Sequence, residues 1–358
     1  MLKLEAGQIV GGVDTHKDLH VAVAVDHHGR LLATRSFETT ARGYRALATW
    51  LASHGEVIAA GVEGTSSWGA GLSRHLAASG MRVIEVNRPD RSARRMRGKS
   101  DPLDAEAAAR AVLAGTARST PKGGTGSVEA IRILRVARRS AMKARIQTGN
   151  QIRALIDTAS DGLRAEFRAA TVAQACARLV RQRPRREDSI DAVTRKTLVL
   201  LAKRWTYLAA EITQLDRDLD TLVTNAAPVL VALPAIGVDT AGALLVCVGD
   251  NPDRLTSEAT FAALCGVAPL QASSGRTQRH RLNRGGDREA NHALWRIVLV
   301  RMRWHAPTRA YVARRTAEGL SKAEIMRCLK RYTARSIYRT LARHELVQPR
   351  PPQPRLAR

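Results

Sequence analysis

Two short apolar segments of the chain each end in a carboxylate, and this arrangement most limits the folds open to the sequence. Residues 9–14 (IVGGVD) end at Asp14, and residues 57–63 (VIAAGVE) end at Glu63. A charge at the end of a buried strand is unfavourable unless the strand delivers it to a site that needs it. The pair therefore predicts two strands whose ends meet at one edge of a sheet.

The other elements of the first 120 residues follow in a definite order. Residues 20–26 and 31–37 predict a second and a third strand, with a turn at Gly29 between them. Then come a helix (41–53), the strand that ends in Glu63, a helix to about Ala78 capped by Ser66 or Ser67, a fifth strand (82–86) and a last helix. Three strands followed by alternating helices and strands are the order of a ribonuclease-H-like α/β fold.

A second pair of acidic residues opens the last of these helices. Asp101 and Asp104, in KSDPLDA, are three residues apart and share one helical face. Four converging carboxylates repel one another unless a cation lies between them, and Mg²⁺ is the usual one. Asp101 could instead be a helix cap before Pro102, with Asp104 favouring the first turn. We expect a metal site, and we do not include the nearby His16 among its ligands, because a lone histidine more often contacts the ligands from outside or lies at the surface.

The charge of the chain points to a polyanionic partner. The formal net charge is +26, from 58 Lys and Arg against 32 Asp and Glu. This excess predicts binding to nucleic acid. Six basic residues directly precede the acidic helix and are expected to bind it, although a solvated loop is the alternative: Arg88, Arg91, Arg94, Arg95, Arg97 and Lys99.

Cysteine usage and hydropathy indicate a cytoplasmic protein. None of the four cysteines forms a CxxC pair, so neither a zinc site nor a disulfide framework is predicted. The most apolar later stretch, residues 229–248, is interrupted by Pro234, Gly237 and Asp239 and does not resemble a membrane span.

The middle of the chain predicts long helices. Residues 119–127 have the composition of a linker, and a helical stretch with a basic exposed side (Arg132, Arg135, Arg138, Arg139, Lys143, Arg145) runs to about Leu155. A second stretch carries apolar residues in steps of three and four: Leu198, Leu201, Trp205, Leu208, Ile212, Leu215, Leu219 and Leu222. This heptad seam fits one helix of an intramolecular bundle as well as pairing between two copies. An antiparallel hairpin that also pairs into a dimer would satisfy both.

The last third of the chain predicts mostly helices, at 257–265, 287–304 and 321–343, before a basic, Pro-rich tail expected to be disordered. Residues 233–245 (LPAIGVDTAGALL) have the form of a helix-hairpin-helix turn, whose Gly237 could hold a backbone phosphate. Between the first two helices lie Ser273 and Ser274, followed by Arg276, Arg279, Arg281 and Arg284. This loop could hold a hydroxyl against a phosphodiester, or it could only bind backbone phosphates.

These motifs, in this order, resemble the IS110 group of transposases and its IS1111 relatives, described as DEDD transposases and bridge-RNA-guided serine recombinases. The matching segments are GVDTHK, VEGTSSW, KSDPLDA, LPAIGVDTAGALL and GVAPLQASSGRTQRHRLNRGGDREANHALW, over residues 8 to about 345. One departure is Arg284, where relatives commonly have Lys; the charge is kept.

The resemblance implies a domain order and a chemistry. It implies a RuvC-like domain (1–120) in which Asp14, Glu63, Asp101 and Asp104 bind Mg²⁺, a coiled-coil region (121–225), a mainly helical transposase domain (226–345) and a tail (346–358). It places the nucleophile before the glycine, at Ser274, although Ser273 is adjacent. The serine would form a covalent link to DNA that a second strand's hydroxyl then displaces.

The resemblance also implies partners. These are donor and target DNA, a structured bridge RNA and further copies of the chain, as a homodimer that becomes a tetramer on DNA, in the bacterial cytoplasm at the nucleoid.

Two other functions remain open. A RuvC-like junction nuclease would use the same carboxylates with water as nucleophile but would not need the serine loop. A basic coiled-coil scaffold would leave the carboxylates unexplained.

Overall fold

The computed structural model describes residues 3–86, 100–183, 189–251, 254–275, 280–281, 283, 285–344 and 346. The chain divides into two compact units. Unit 1 comprises residues 1–126, 248–261 and the residues from Leu341 onward, and unit 2 comprises residues 127–247 and 262–340. The predicted linear domain boundaries stay a prediction.

Unit 1 contains a five-stranded mixed sheet with helices. Its strands and helices are β1 (Gln8–Thr15), β2 (Leu19–Asp26), β3 (Leu31–Glu38), α1 (Ala41–Ala52), β4 (Glu56–Glu63), α2 (Ala70–Ala78), β5 (Val83–Val86) and α3 (Asp101–Leu113). The strands lie in the order β3-β2-β1-β4-β5. The predicted order of strands and helices is confirmed; the ribonuclease-H-like assignment itself stays a prediction.

The register of the sheet brings the two carboxylate-bearing strand ends together. β1 pairs antiparallel with β2 and parallel with β4, and β4 pairs parallel with β5. Val13 pairs with Val62, so the next residues, Asp14 and Glu63, end neighbouring parallel strands at the same edge.

The two faces of the sheet carry different helices, as the period of two along a strand requires. Ile9 and Val13 of β1 pack with α1 and α2, whereas Val10 packs with α3. Gly12 lies on the α3 face, where a Cβ atom would come within 2.1 Å of the carbonyl oxygen of Ala105. A glycine is therefore required for α3 to approach the sheet this closely.

Two helix starts in unit 1 differ from the prediction. α2 begins at Ala70 with Gly69 as its cap, not at Ser66 or Ser67, because residues 64–69 form turns in which Gly64 has a φ of +67°. The cap of α3 is Ser100, and Asp101 occupies the first helical position. Asp101 is therefore not used as the cap residue.

Unit 2 is helical. Its elements are α4 (Ser127–Asp157), α5 (Asp161–Phe167), α6 (Val172–Leu179), α7 (Ile190–Ala226), α8 (Pro228–Val231), α9 (Val238–Val248, the last residue of which belongs to unit 1), α10 (Glu258–Leu264, which begins in unit 1), β6 (Leu270–Gln271), β7 (His280–Arg281), α11 (Arg288–Trp304), α12 (Ala306–Ala317) and α13 (Lys322–Arg343, which ends in unit 1).

The long helices α4 and α7 form an antiparallel pair within one chain. Arg138 near the start of α4 bonds to Asp216 near the end of α7, whereas Gly149 near the end of α4 lies beside Trp205. The short helices α5 and α6 pack against the far end of the pair. The predicted hairpin is confirmed, and pairing between copies stays a prediction.

The predicted faces of α4 and α7 are only partly correct. In α7, Leu198, Ile212 and Leu219 are buried, and the other five seam residues are half-buried. In α4, Arg135 was expected on the exposed side, but its side chain is 10% exposed and is paired with Asp239. An acidic partner distant in the sequence explains this burial.

Helix α12 is absent from the prediction. Its cap is His305 and Pro307 occupies its first turn, a position that proline tolerates. In the sequence, Pro307 indicates only the end of the preceding helix, so the start of α12 was missed. In the described part of the chain, no helix combines the length and apolar character needed to cross a membrane.

The Gly- and Pro-rich segment before α4 is held by residues that return to unit 1 from later in the chain. Asp250 accepts hydrogen bonds from the amides of Thr125 and Gly126 at 3.2 and 3.1 Å. Asn251 bonds to Gly123 and Pro121. This segment is consequently anchored, although it contains no helix or strand.

Candidate metal centre

Asp14 is the central residue of an acidic cluster in unit 1. It lies at the end of β1, is 7% exposed, and shares the α3 face of the sheet with Gly12 because the two are two residues apart. Gly12 lets α3 pack close, and so the first turn of that helix reaches the end of β1.

His16 and Asp101 complete a compact set of ligand atoms with Asp14. Nε2 of His16 is 3.2 Å from Oδ2 of Asp14 and 3.3 Å from Oδ1 of Asp101. One ligand atom from each residue lies within 4.8 Å of the other two. The structure thus brings together two of the predicted acidic residues and a histidine that the sequence analysis excluded.

Asp104 belongs to the same charged environment. It is 5% exposed and lies one helical turn after Asp101. Burial raises the pKa of Asp14 above its usual value; His16 opposes this rise, and the charges of Asp104 and Asp101 add to it. Asp14 is therefore close enough to Asp104 and Asp101 for their charges to repel its own.

Glu63 is placed next to this cluster by the register of β1 and β4. Its backbone carbonyl accepts a hydrogen bond of 2.8 Å from Oγ1 of Thr15, and its Oε2 atom is buried. By alternation, Glu63 and Gly61 lie on the same face, and Gly61 contacts α3. Glu63 therefore ends on the side of the sheet where Asp14 lies, although it is not within the set of ligand atoms defined by Asp14, His16 and Asp101.

The donor atoms fit a divalent cation. Carboxylate oxygens are the ligands that Mg²⁺ prefers, and imidazole suits several transition metals. Asp14, Asp101 and His16, whose ligand atoms lie within 4.8 Å of one another, would hold such an ion. A cation would also offset both the burial of the Asp14 charge and the smaller repulsion from Asp104 and Asp101, which together raise the pKa of Asp14.

The histidine could have been found from its spacing. His16 follows Asp14 by two residues, and this spacing keeps both side chains on one face when the strand geometry continues past Thr15. Taken alone, a single histidine at this position favours a surface residue. The deciding contact, with Asp101, comes from a helix 85 positions later in the sequence.

The predicted serine loop lies in unit 2, between β6 and β7. Ser273 and Ser274 are both exposed, and Gly275 has a φ of +54°, which glycine adopts without strain. Arg281 is exposed on β7. Arg276, Arg279 and Arg284 lie outside the described residues.

The basic segment before α3 also lies outside the described residues, with all six of its predicted contacts: Arg88, Arg91, Arg94, Arg95, Arg97 and Lys99. The turn between α8 and α9 has the predicted position. Oγ1 of Thr240 donates a hydrogen bond of 2.8 Å to the carbonyl of Gly237. Phosphate binding at this turn stays a prediction.

Comparison with known proteins defines the class to which this fold and acidic cluster belong. Residues 11–160 match a family model described as "Transposase", of the DEDD type of IS110, and residues 227–313 match the model "Transposase IS116/IS110/IS902 family". Both models describe transposases, and the first spans the acidic cluster.

The chain belongs to the IS110 family of transposases. It is 30% identical over 161 residues to the "Insertion element IS110 uncharacterized 43.6 kDa protein" of Streptomyces coelicolor. The match covers 40% of this chain and 39% of that relative.

Proposed function

We propose that this protein cuts and rejoins DNA as a transposase, with a divalent cation, magnesium, held by Asp14, Glu63, Asp101 and Asp104. The observation that carries the proposal is the approach of buried Asp14 to Asp101 and His16 at one edge of the sheet. Burying like charges side by side costs stability, and binding a cation is the reason to retain them.

The residues of the chain have distinct roles in this proposal. Asp14 and Asp101 supply oxygens from two different elements, a strand end and a helix start, and their spacing is set by the contact of Gly12 with α3. The Nε2 atom of His16 lies between the two carboxylates, within 3.3 Å of an oxygen of each. When bound, the cation would offset the charge that develops on the phosphoryl oxygens during cleavage.

The nucleophile we propose is Ser274. Its Oγ atom attacks phosphorus and loses its proton, and one strand of DNA departs as a free hydroxyl after taking up a proton. The hydroxyl of a second strand then attacks the same phosphorus, and Ser274 leaves and recovers its proton. One phosphoester bond is broken for each that is formed, so the exchange needs no ATP. The exposure of Ser274 and its place before Gly275, which has a φ of +54°, support this assignment.

A second candidate is a metal-dependent nuclease that uses water as the nucleophile. The observation that favours it is that the ligand atoms of Asp14, His16 and Asp101 come together within unit 1 alone. Both candidates require the carboxylates, and they differ in whether protein becomes linked to DNA.

A denaturing gel separates the two candidates. Wild type, Ser274→Ala, Ser273→Ala and Asp14→Asn are incubated with labelled junction DNA, the matching RNA and Mg²⁺. Our proposal expects a DNA-linked protein band that is lost in Ser274→Ala and retained in Ser273→Ala. Cleaved DNA without linked protein in every active lane would show that water, and not Ser274, is the nucleophile. Cleavage by Asp14→Asn at the wild-type rate would overturn the metal site.

We further propose that a structured bridge RNA selects the DNA and that copies of the chain act together. The net charge of +26 supports a protein that holds two nucleic acids at once. The exposed apolar residues Leu200 and Tyr207 on α7 support pairing between copies. Joining of target DNA that persists after the RNA is digested would contradict the guide, and sedimentation as a monomer with DNA would contradict the pairing.

A further inference from the structure

Two cavities of unit 2 adjoin and share Asn283 and Lys330 in their walls. The first has a volume of about 670 Å³ and the second about 450 Å³. Each falls in the range of about 300–1,000 Å³ that small-molecule sites occupy. We call the two together the α11–α13 trough, since Trp295 of α11 lines one cavity and Tyr332 of α13 lines the other.

A buried cation stands where the two cavities meet. Lys330 is 7% exposed, and its Nζ atom donates a hydrogen bond of 2.9 Å to Oδ1 of Asn291. Asn291 is itself fixed, because its Nδ2 atom donates to the carbonyls of Cys265 and Gly266. No carboxylate within the described part of the chain pairs with Lys330. Burial lowers the pKa of Lys330, and the charge of Arg327 lowers it further, so an incoming anion would relieve both effects.

The first cavity is strongly cationic. Six of its sixteen lining residues are Arg or Lys and one, Glu324, is acidic. Among the six, Arg315 forms an ion pair with Glu318, which offsets the positive charge of this arginine. The remaining excess favours a ligand with more than one negative charge.

Each of the two cavities is lined by one exposed aromatic ring. Tyr332 is 49% exposed, with the ring of Tyr311 edge-on at 5.7 Å and the guanidinium of Arg335 at 5.8 Å from its centroid. Trp295 is 39% exposed and stacks on His292 at 5.6 Å. Neighbours therefore hold both rings in place while leaving surface for another flat group.

We propose that the α11–α13 trough binds an unpaired nucleotide strand, with Lys330 at a phosphate and with bases stacked on Tyr332 and Trp295. A cationic groove with aromatic rings along it is how proteins bind single strands without reading their sequence. The proposal deepens the proposed function, on which it rests, by naming a place for a strand that has left its duplex.

The test measures binding of fluorescently labelled oligonucleotides of about ten nucleotides to the full chain, without Mg²⁺ and without guide RNA. Three probes of one sequence are compared: single-stranded DNA, single-stranded RNA and duplex DNA. The double variant Trp295→Leu with Tyr332→Leu is expected to lose roughly five- to hundred-fold in affinity for each stacked base of the single strands. Its affinity for the duplex is expected to stay within about twofold of wild type. The DNA and RNA probes distinguish which strand the trough prefers.

The matched control is Trp304→Leu, an aromatic residue of the same helix as Trp295 that is 55% exposed and lines neither cavity. It is expected to bind all three probes as wild type does. Equal losses on single strand and duplex in the trough variant, or equal losses in the control, would overturn the proposal.

Crosslinking is done on the wild-type protein, so its result does not depend on whether a variant folds. A single strand carrying 5-iodouracil is irradiated on the protein, and the attached peptides are identified by mass spectrometry. Attachment at Tyr332 or Trp295 supports the trough, and attachment only elsewhere overturns it. Asp14→Asn separates this proposal from the proposed function, since it should abolish cleavage and leave binding of the single strand unchanged.

Discussion

At the scale of single residues, the acidic cluster holds charged side chains at buried positions that the stability of the fold does not favour. Asp14 is buried next to two other carboxylates, and its raised pKa shows that its charge is unfavourable in the folded protein. Such a group opposes folding at neutral pH, because the folded state holds the proton more tightly than the unfolded state does.

Replacing Asp14 by Asn should therefore stabilise the metal-free protein while weakening its response to metal. In EDTA we expect Asp14→Asn to raise the free energy of unfolding above that of wild type, because the variant no longer buries a charge beside Asp101 and Asp104. Addition of Mg²⁺ should raise the melting temperature of wild type more than that of the variant. Thermal denaturation with and without Mg²⁺ measures both effects.

The control for this comparison is Asp220→Asn, on the exposed side of α7, which should behave as wild type in both conditions. A melting temperature of Asp14→Asn below that of wild type in EDTA would contradict the expected repulsion.

Asp239 shows the opposite effect of burial on a carboxylate. Burial alone would raise its pKa, but the charges of Arg135 and Arg296, and their hydrogen bonds, outweigh it and hold the pKa below its usual value. Oδ1 of Asp239 is 2.6 Å from Arg135 and Oδ2 is 2.5 Å from Arg296. Asp239 therefore joins α9 to α4 and α11.

Asp239→Asn should destabilise the protein by about 1–3 kcal/mol, because the nearly buried Arg135 loses its main partner. A lowered folded-state pKa stabilises the protein above the unfolded pKa of 3.8, and the effect is lost as pH falls through the lower folded value. Urea unfolding at several pH values should show a constant difference from wild type near neutrality that shrinks below about pH 4. A difference that persists unchanged at pH 2 would show that packing, not charge, is lost.

At the scale of elements, the sheet could be predicted from the sequence because its signals are local. Alternation identifies β2, and apolar runs that end in Asp14 and Glu63 identify β1 and β4. The place of His16 and the burial of Arg135 could not be predicted, because each depends on a partner far along the chain, Asp101 and Asp239. Helix α12 was missed since Pro307 ends one helix pattern and also starts the next.

Gly12 couples the sheet to the helix that supplies two of the carboxylates. A Cβ atom at Gly12 would lie 2.1 Å from the carbonyl oxygen of Ala105 and 2.6 Å from the amide nitrogen of Ala109. Both atoms are backbone, so α3 as a whole must shift to admit a methyl group.

Gly12→Ala should therefore cost about 1–3 kcal/mol or more of stability and should reduce cleavage by moving Asp101 and Asp104. Urea unfolding and the denaturing gel measure the two effects. The matched control is Gly162→Ala in α5, where nothing lies within 4 Å of the added carbon and alanine is the better helix former. Cleavage by Gly12→Ala at the wild-type rate would show that the cluster tolerates a displaced helix.

At the scale of the whole molecule, unit 1 is built from separated parts of the sequence. Residues 248–261 return to it after the helices of unit 2, and Arg254 illustrates the connection. Its side chain is 8% exposed, donates to the carbonyls of Thr120 and Val248, and lies 3.6 Å from Glu85 of β5.

The returning segment should protect the residues before α4 from proteolysis. Asp250→Ala removes the acceptor for the amides of Thr125 and Gly126, so we expect trypsin to cut after Lys122 several-fold faster than in wild type. Mass spectrometry of early fragments identifies the cut, and Asp220→Ala serves as the control. An unchanged rate at Lys122 would show that Asn251 and Arg254 suffice to hold the segment.

Because residues from later in the chain return to unit 1, this unit can be completed only late in synthesis at the ribosome. Residue 126 emerges 135 positions before residue 261, so the first part of unit 1 must wait for residues 248–261 while the whole helical hairpin is made. At about 5–20 residues per second this interval is roughly 7–27 seconds. Throughout that time a nascent chain carries the acidic cluster on an unfinished unit, and unit 1 is completed only after the α4–α7 pair has been translated.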